Sequence, residues 1–299
     1  MATIQRIRKT IYVYKYFVII FILIGGLMLY PLIDGFYLSL YQKNLMYPAK
    51  EKFLLFGNFK KLFFDDPMFW LVFKNSLIFT VASVGFEYLL GLSSALLLNS
   101  KHVPMKNFFR GIVLLPWIVP IAVNSLNWKW MLLPEYGYIN IVLKVLGFGN
   151  LARGWLTDLK TVFPTVILVN VWRSFPFFTV VILAALTLIP KDLFEAAQID
   201  GANRWQTFRH ITFPGIKGIS FVIITLHIVW TFSNFDVIYL LTGGGPLHYT
   251  EVLPTYLYQQ GFHFFKIGYA CSIGVFIFLF LVVTIGFYFT KISSIQEAK

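Results

Sequence analysis

Polar side chains at helical spacing inside an apolar run are the first feature of this chain that could do chemistry. His227, Trp230, Thr231 and Asn234 stand at i, i+3, i+4 and i+7, one face of a helix. Asparagine, threonine and histidine hydrogen-bond hydroxyl groups, and an indole packs flat against the apolar face of a pyranose ring. Arg173, Ser174 and Phe177 offer a second such face, from i to i+4. Polar groups are costly in apolar segments and tend to face a cavity or a partner helix. The chemistry of His227, Trp230 and Asn234 therefore suits a neutral, hydroxyl-rich ligand. The alternative is hydrogen bonding between helices with no ligand contact, and for Thr231 and Ser174 the two readings weigh equally. Glu87 and Asp236 either pair with a basic residue of a partner chain or line the same path.

A second feature is the stretch from Pro190 to Pro214, which reads as two short helices joined by a tight turn. Asp192 with Glu195 is close to a capping box, and Gly201 suits the left-handed residue that ends a helix. Asn203 with Gln206 repeats the capping pattern, and Pro214 is expected to stop the second helix. Trp205, Phe208 and Ile211 give that helix an apolar side. Ala196 and Ala197 beside Glu195 let the first helix fit closely into a groove. The plainer reading is an amphipathic hairpin lying on lipid headgroups. A DNA-reading helix-turn-helix does not fit a site wedged between two apolar spans.

Other chemistry is excluded. Gly243 to Gly245 lack the Lys-Ser/Thr that completes a phosphate-binding loop, so the run reads as an external turn, and no Walker A sequence occurs anywhere. No His-Glu-x-x-His spacing occurs, and Cys271 is the only cysteine, which removes disulfides and cysteine-based zinc. No metal, cofactor or catalytic residue is expected.

The elements that must position these groups follow from composition. The 299 residues are 58% hydrophobic and 13% charged, where a soluble domain carries about 25% charged residues. With a mean hydropathy of +0.72, much of this chain has lipid as its solvent. The net charge of +12 then belongs to membrane-flanking basic residues rather than to nucleic-acid binding. Six apolar stretches can each span a bilayer as a helix: 16–38, 71–98, 111–132, 161–189, 219–241 and 267–290. Tyr12, Tyr14, Tyr16, Trp70, Trp128, Trp130 and Trp155 sit at their edges as interfacial anchors. The first stretch is too long for a secretory leader, and no cleavage site follows it. Gly91 and Ala95, four apart, read as small-residue packing. An even number of spans puts both termini on one side. Arg6, Arg8, Lys9 and the acid-free loop from Asn99 to Arg110 make that side cytoplasmic, against the pull of Lys43, Lys50, Lys52, Lys60 and Lys61. The longest loops fall well short of the ~50 residues of a small domain, so any soluble engine must be another chain.

On these residues the chain resembles a known family. Glu195-Ala196-Ala197, Asp200-Gly201-Ala202, Ile211 and Phe213-Pro214 look like the EAA loop of ABC importer permeases, with Phe213 where the family often has leucine. The resemblance implies that Glu195, Ala196, Ala197, Asp200 and Gly201 dock into a groove on an ATPase subunit. Phe235 to Pro246 resembles the end of the fifth span in carbohydrate permeases of the maltose and glycerol-phosphate type, in the first of their two unlike permeases. Trp172-Arg173, Pro176-Phe177 and Gly268-Tyr269-Ala270 fit the same group. Unlike the maltose permease, this chain has no room for extra N-terminal spans or a large external domain.

The expectation is an all-α integral membrane protein with six transmembrane helices and the type I ABC importer permease fold. Residues 1–299 form one permease domain with a coupling loop at 190–217. Its implied partners are a second permease, an ATPase dimer, an extracytoplasmic solute-binding protein, lipid and a sugar. It would sit in the cell (inner) membrane and leave ATP hydrolysis to its partners. A non-sugar importer would show a charged pocket in place of the aromatic-and-amide face. An ion-coupled secondary transporter would show internal repeats, and none is evident.

Overall fold

A computed structural model describes residues 17, 21–100 and 103–297. Tyr12, Tyr14, Tyr16 and the basic cluster Arg6, Arg8 and Lys9 lie outside the described residues, as do Lys101 and the opening of the first apolar stretch. The chain divides into two compact units, one of Met1–Pro67 with Leu257–Phe280, the other of Met68–Tyr256 with Leu281–Lys299.

In the first unit, α1 (Phe21–Ser39) leads into a short hairpin of β1 (Tyr41–Gln42) and β2 (Lys52–Phe53). α2 (Gly57–Lys60) and a π turn, Lys61–Asp65, follow. Asn58 is buried and ties this turn back to the end of α1, donating Nδ2 to the carbonyls of Ser39 at 2.7 Å and Tyr41 at 2.9 Å. The hairpin also meets the start of the last helix, where Gly268 N–H donates to the Lys43 carbonyl at 3.2 Å.

The second unit carries the candidate site. α3 (Pro67–Asn99), α7 (Val162–Thr187) and α9 (Arg204–Phe232) are its long apolar helices. Between α3 and α7 lie α4 (Lys106–Ile118), α5 (Ile121–Met131) and α6 (Tyr138–Val145). α8 (Lys191–Ile199) separates α7 from α9, and α10 (Asp236–Leu241) follows α9. α11 (Leu253–Tyr258) precedes the last helix, α12 (Ile267–Glu297). Val84, Ala95, Phe178, Ile182, Ile216 and Ile223 form a core that joins α3, α7 and α9. Phe79, Leu132, Val166, Val237 and Ile238 form a second core beneath α10. Gly91 and Ala95 pack as expected: Ala95 is fully buried, and Gly91 lies against the backbone of Phe175 and Thr179. Small residues at this spacing let two helices approach closely where lipid offers no hydrophobic drive.

Three expectations about helix boundaries change. The stretch 111–132 is not one straight span, because α4 and α5 meet at a bend of 92°. Val119 precedes Pro120 and is extended, at φ −65° and ψ 129°, since the proline ring clashes with a helical residue before it. Five helices are thus long and apolar enough to cross a membrane among the described residues, or six when the bent pair counts as one. The stretch 219–241 is also broken, with α9 ending at Phe232 and α10 starting at Asp236. There Asn234 Oδ1 accepts from Val237 N–H at 3.2 Å, the local side-chain bond by which asparagine competes with a continuing helix. Finally, Pro214 stops nothing. A π turn at Phe208–Thr212 lets Phe213 N–H bond the Phe208 carbonyl five residues back, and the helix runs on past Pro214.

Candidate functional site

At the loop end of the second unit, α8 begins after Pro190, and no side chain caps it. The expected capping role of Asp192 is therefore wrong. It stands instead in the first turn, where a carboxylate complements the positive end of the helix dipole. The far end follows the sequence closely. Gly201 has φ +73°, Ala202 N–H donates to the Ala197 carbonyl at 2.9 Å, and Gly201 N–H to that of Gln198 at 3.1 Å. These paired bonds are a Schellman stop, which needs a left-handed residue that glycine alone adopts without strain. Asn203 and Gln206 form a reciprocal capping box at 2.9 and 2.8 Å. No residue of α8 is buried; Glu195, Ala196 and Asp200 are exposed and Ala197 is half-buried. Ile199 is 87% exposed and Trp205 65%, stacked on Phe208. The turn is held by hydrogen bonds at Gly201 and Asn203, and it offers a largely uncovered surface.

The second group lies along α3, α7 and α9. Glu87 is completely buried. Its Oε1 accepts from Asn170 Nδ2 at 2.9 Å, and its Oε2 lies 2.9 Å from His227 Nδ1. Asn170 Oδ1 in turn accepts from Asn234 Nδ2 at 3.1 Å, and Asn234 caps α10. One hydrogen-bonded relay thus links three long helices to the break after α9. A charge in such a place is tolerated only when paired and hydrogen-bonded.

Around the relay sits an aromatic cluster. The His227 ring centroid is 4.3 Å from that of Phe178, 5.2 Å from Phe177 and 5.3 Å from Trp230. Phe177 and Trp230 meet edge-on at 5.8 Å. Of the residues singled out from sequence, His227, Thr231 and Ser174 are buried, Arg173, Phe177 and Asn234 are half-buried, and Trp230 is 55% exposed. His227, Trp230 and Phe177 therefore converge, while Asn234 is joined to them through Asn170 and Glu87. Asn234 stands in the break rather than on the helical face. Among the described residues, His227 Nε2 and Arg173 Nε are buried without a hydrogen-bond partner. Arg173 lies within electrostatic reach of Asp236 and Glu87.

Sequence reasoning named Glu87 without finding its partners, and it missed Asn170. The available signal was the presence of an acid, an amide and an imidazole at interior positions of three apolar stretches.

Comparison with known proteins gives a consistent picture. The family described as "Binding-protein-dependent transport system inner membrane component" matches residues 87–294. The probable ABC transporter permease protein YurN of Bacillus subtilis is 33% identical over 270 residues, 90% of this chain and 91% of that protein. The trehalose/maltose transport system permease protein MalF of Thermococcus litoralis is 34% identical over 254 residues, 85% of this chain and 83% of that protein. The sulfoquinovosyl glycerol transport system permease protein SmoG of Agrobacterium fabrum is 33% identical over 260 residues, covering 86% and 82%. Among solved structures, a chain of a bacterial ABC transporter involved in import of the acidic polysaccharide alginate superposes with a TM-score of 0.83. That chain is 26% identical, and the match covers 97% of this chain and 98% of it.

Proposed function

This chain belongs to the family of inner membrane components of binding-protein-dependent transport systems, and on that premise we propose that it carries a carbohydrate across the membrane. It is a multi-pass ABC importer permease. In this reading residues 1–299 act as one permease domain with both termini on the cytoplasmic side. A second permease, an ATPase pair docked on the 190–217 loop and an extracytoplasmic solute-binding protein complete the importer. The chain itself hydrolyses no ATP, since it carries no Walker A sequence. ATP binding closes the ATPase pair, displaces the loop and tilts the helices about a central site.

One observation carries the cargo assignment: Trp230, half exposed, stands beside a buried relay of amide, imidazole and carboxylate. Trp230 and Phe177 supply the surface on which a sugar ring stacks. His227, whose Nε2 has no hydrogen-bond partner, packs against both rings; in this reading Arg173, whose Nε is likewise unpartnered, joins Ser174, Thr231 and Asn234 in the lining.

The test uses the coexpressed complex with saturating binding protein. The expected result is uptake of a labelled oligosaccharide. Trp230→Ala should raise its half-saturating concentration severalfold while basal ATP hydrolysis by the complex persists. ATP hydrolysis by the isolated chain, or unchanged sugar uptake in Trp230→Ala, would overturn the reading.

A further inference from the structure

Glu87 is fully buried in α3 and has no exposure through which it could meet a cargo. Its influence must pass through the groups it holds. Asn170 Nδ2 can only donate, so Oε1 of Glu87 is the acceptor at 2.9 Å whichever of Glu87 and His227 holds the proton between Oε2 and Nδ1. With its amide nitrogen committed, Asn170 presents Oδ1 to Asn234 and accepts from Asn234 Nδ2 at 3.1 Å. Asn234 must then turn its own Oδ1 to Val237 N–H in the first turn of α10. Each amide has one donor end and one acceptor end, so one fixed acceptor at the head sets the direction of every bond that follows. The same carboxylate also grips the His227 ring, which packs against Phe177, Phe178 and Trp230.

We propose that Glu87 is the positioning residue of the cargo path: through Asn170 it orients Asn234 and the restart of the broken fifth span, and through its second oxygen it holds His227 under Trp230. This rests on the cargo reading above and adds to it a residue that never touches cargo. A binding surface keeps its geometry when packing and supporting hydrogen bonds together lock the side chains that form it.

The experiment reverses the direction of the relay. Glu87→Leu removes the acceptor, and it should raise the half-saturating cargo concentration severalfold per assembled complex, with basal ATP hydrolysis unchanged. Glu87→Gln keeps an acceptor available to Asn170 and should stay near wild type. Asn170→Asp sets two acceptors face to face and should behave as Glu87→Leu does. The double variant Glu87→Gln/Asn170→Asp restores a donor opposite an acceptor, and the carboxylate introduced on α7 can still accept from Asn234; it should regain wild-type half-saturation. A purely structural role would change the amount of assembled complex without moving half-saturation. Unchanged half-saturation in Glu87→Leu overturns the proposal, and so does a double variant as defective as Asn170→Asp or unable to assemble. If Glu87→Leu fails to assemble, the comparison between Asn170→Asp and the double variant decides alone. Trp230→Ala separates the two readings: an effect there with none at Glu87 leaves the cargo face standing and removes only the relay.

Discussion

A side chain at Gly91 would meet Phe178: a Cβ built on the glycine stands 2.3 Å from the Phe178 Cβ, and 3.1 Å from the Thr179 backbone nitrogen. α3 and α7 thus touch backbone to backbone at the level of the core that Phe178 and Ile182 fill. Gly91→Ala should reduce the amount of folded permease, and Gly91→Leu should reduce it drastically, since overpacking a tight core costs about 1–3 kcal/mol and sometimes more. Fluorescence-detected size exclusion of the tagged chain reads this directly. Wild-type yield and elution from Gly91→Leu would mean that the two helices separate more easily than their packing implies.

At the loop, Gly201 isolates a backbone effect. Nothing in this chain lies within 4 Å of a Cβ built there, so within the chain a substitution acts through φ +73°. Gly201→Val forces a β-branched residue into a strained region at a cost of about 1–3 kcal/mol, whereas asparagine tolerates it. We expect transport to be lost in Gly201→Val and kept in Gly201→Asn, with both inserted in the membrane. Glu195→Lys, which reverses charge on the exposed face of α8, should also abolish transport and ATPase copurification. Normal transport by Gly201→Val would show that the shape of this turn does not matter to coupling.

The segment between α10 and α11 offers a titration. Glu251 is fully buried, and burial pushes its carboxyl above the ordinary value of 4.5, although the bond from His248 partly opposes this. Asn75 pins the same segment by donating to the carbonyls of Glu251 at 3.0 Å and Tyr249 at 3.3 Å. A raised folded-state value means that the folded protein binds the proton more tightly than the unfolded chain. Glu251 therefore contributes stability below 4.5 that is lost as pH rises through its shifted value. Glu251→Gln should lack that fall. The measurement is Tm against pH for wild type and variant in the same detergent, and two parallel curves would remove Glu251 as the source.

The apolar stretches were legible because a membrane span must satisfy its backbone internally and so shows itself as hydropathy. Gly201 and the Asn203–Gln206 box were legible for a similar reason, since cap chemistry is local. Pro214 misled for a physical cause. A proline ends a helix only if its missing N–H and its ring cannot be accommodated, and the π turn at Phe208–Thr212 accommodates both. The break at Asn234 rests on a local bond, Val237 N–H to Asn234 Oδ1, that the apolar run on either side outweighed in the sequence. The partners of Glu87 depend on contacts between residues far apart in the chain, which spacing within one helix does not carry. Asn170 and Glu87 are 83 positions apart, and His227 and Glu87 are 140 apart.

The passage of α9 beyond Pro214 has a mechanical consequence. Arg204 and Phe232 belong to one continuous helix of 29 residues, roughly 40 Å at the usual rise per residue. Its first turn grows out of the Asn203 cap, immediately after Gly201, and its last turns carry Trp230 beside the break at Asn234. Such a rod is a lever. A swing of a few degrees at the loop moves the far end by about 2–3 Å over that length. No chain of side-chain rearrangements is needed between the two ends, and stiffness along this helix, rather than the chemistry of either end, becomes the quantity that sets how faithfully they move together.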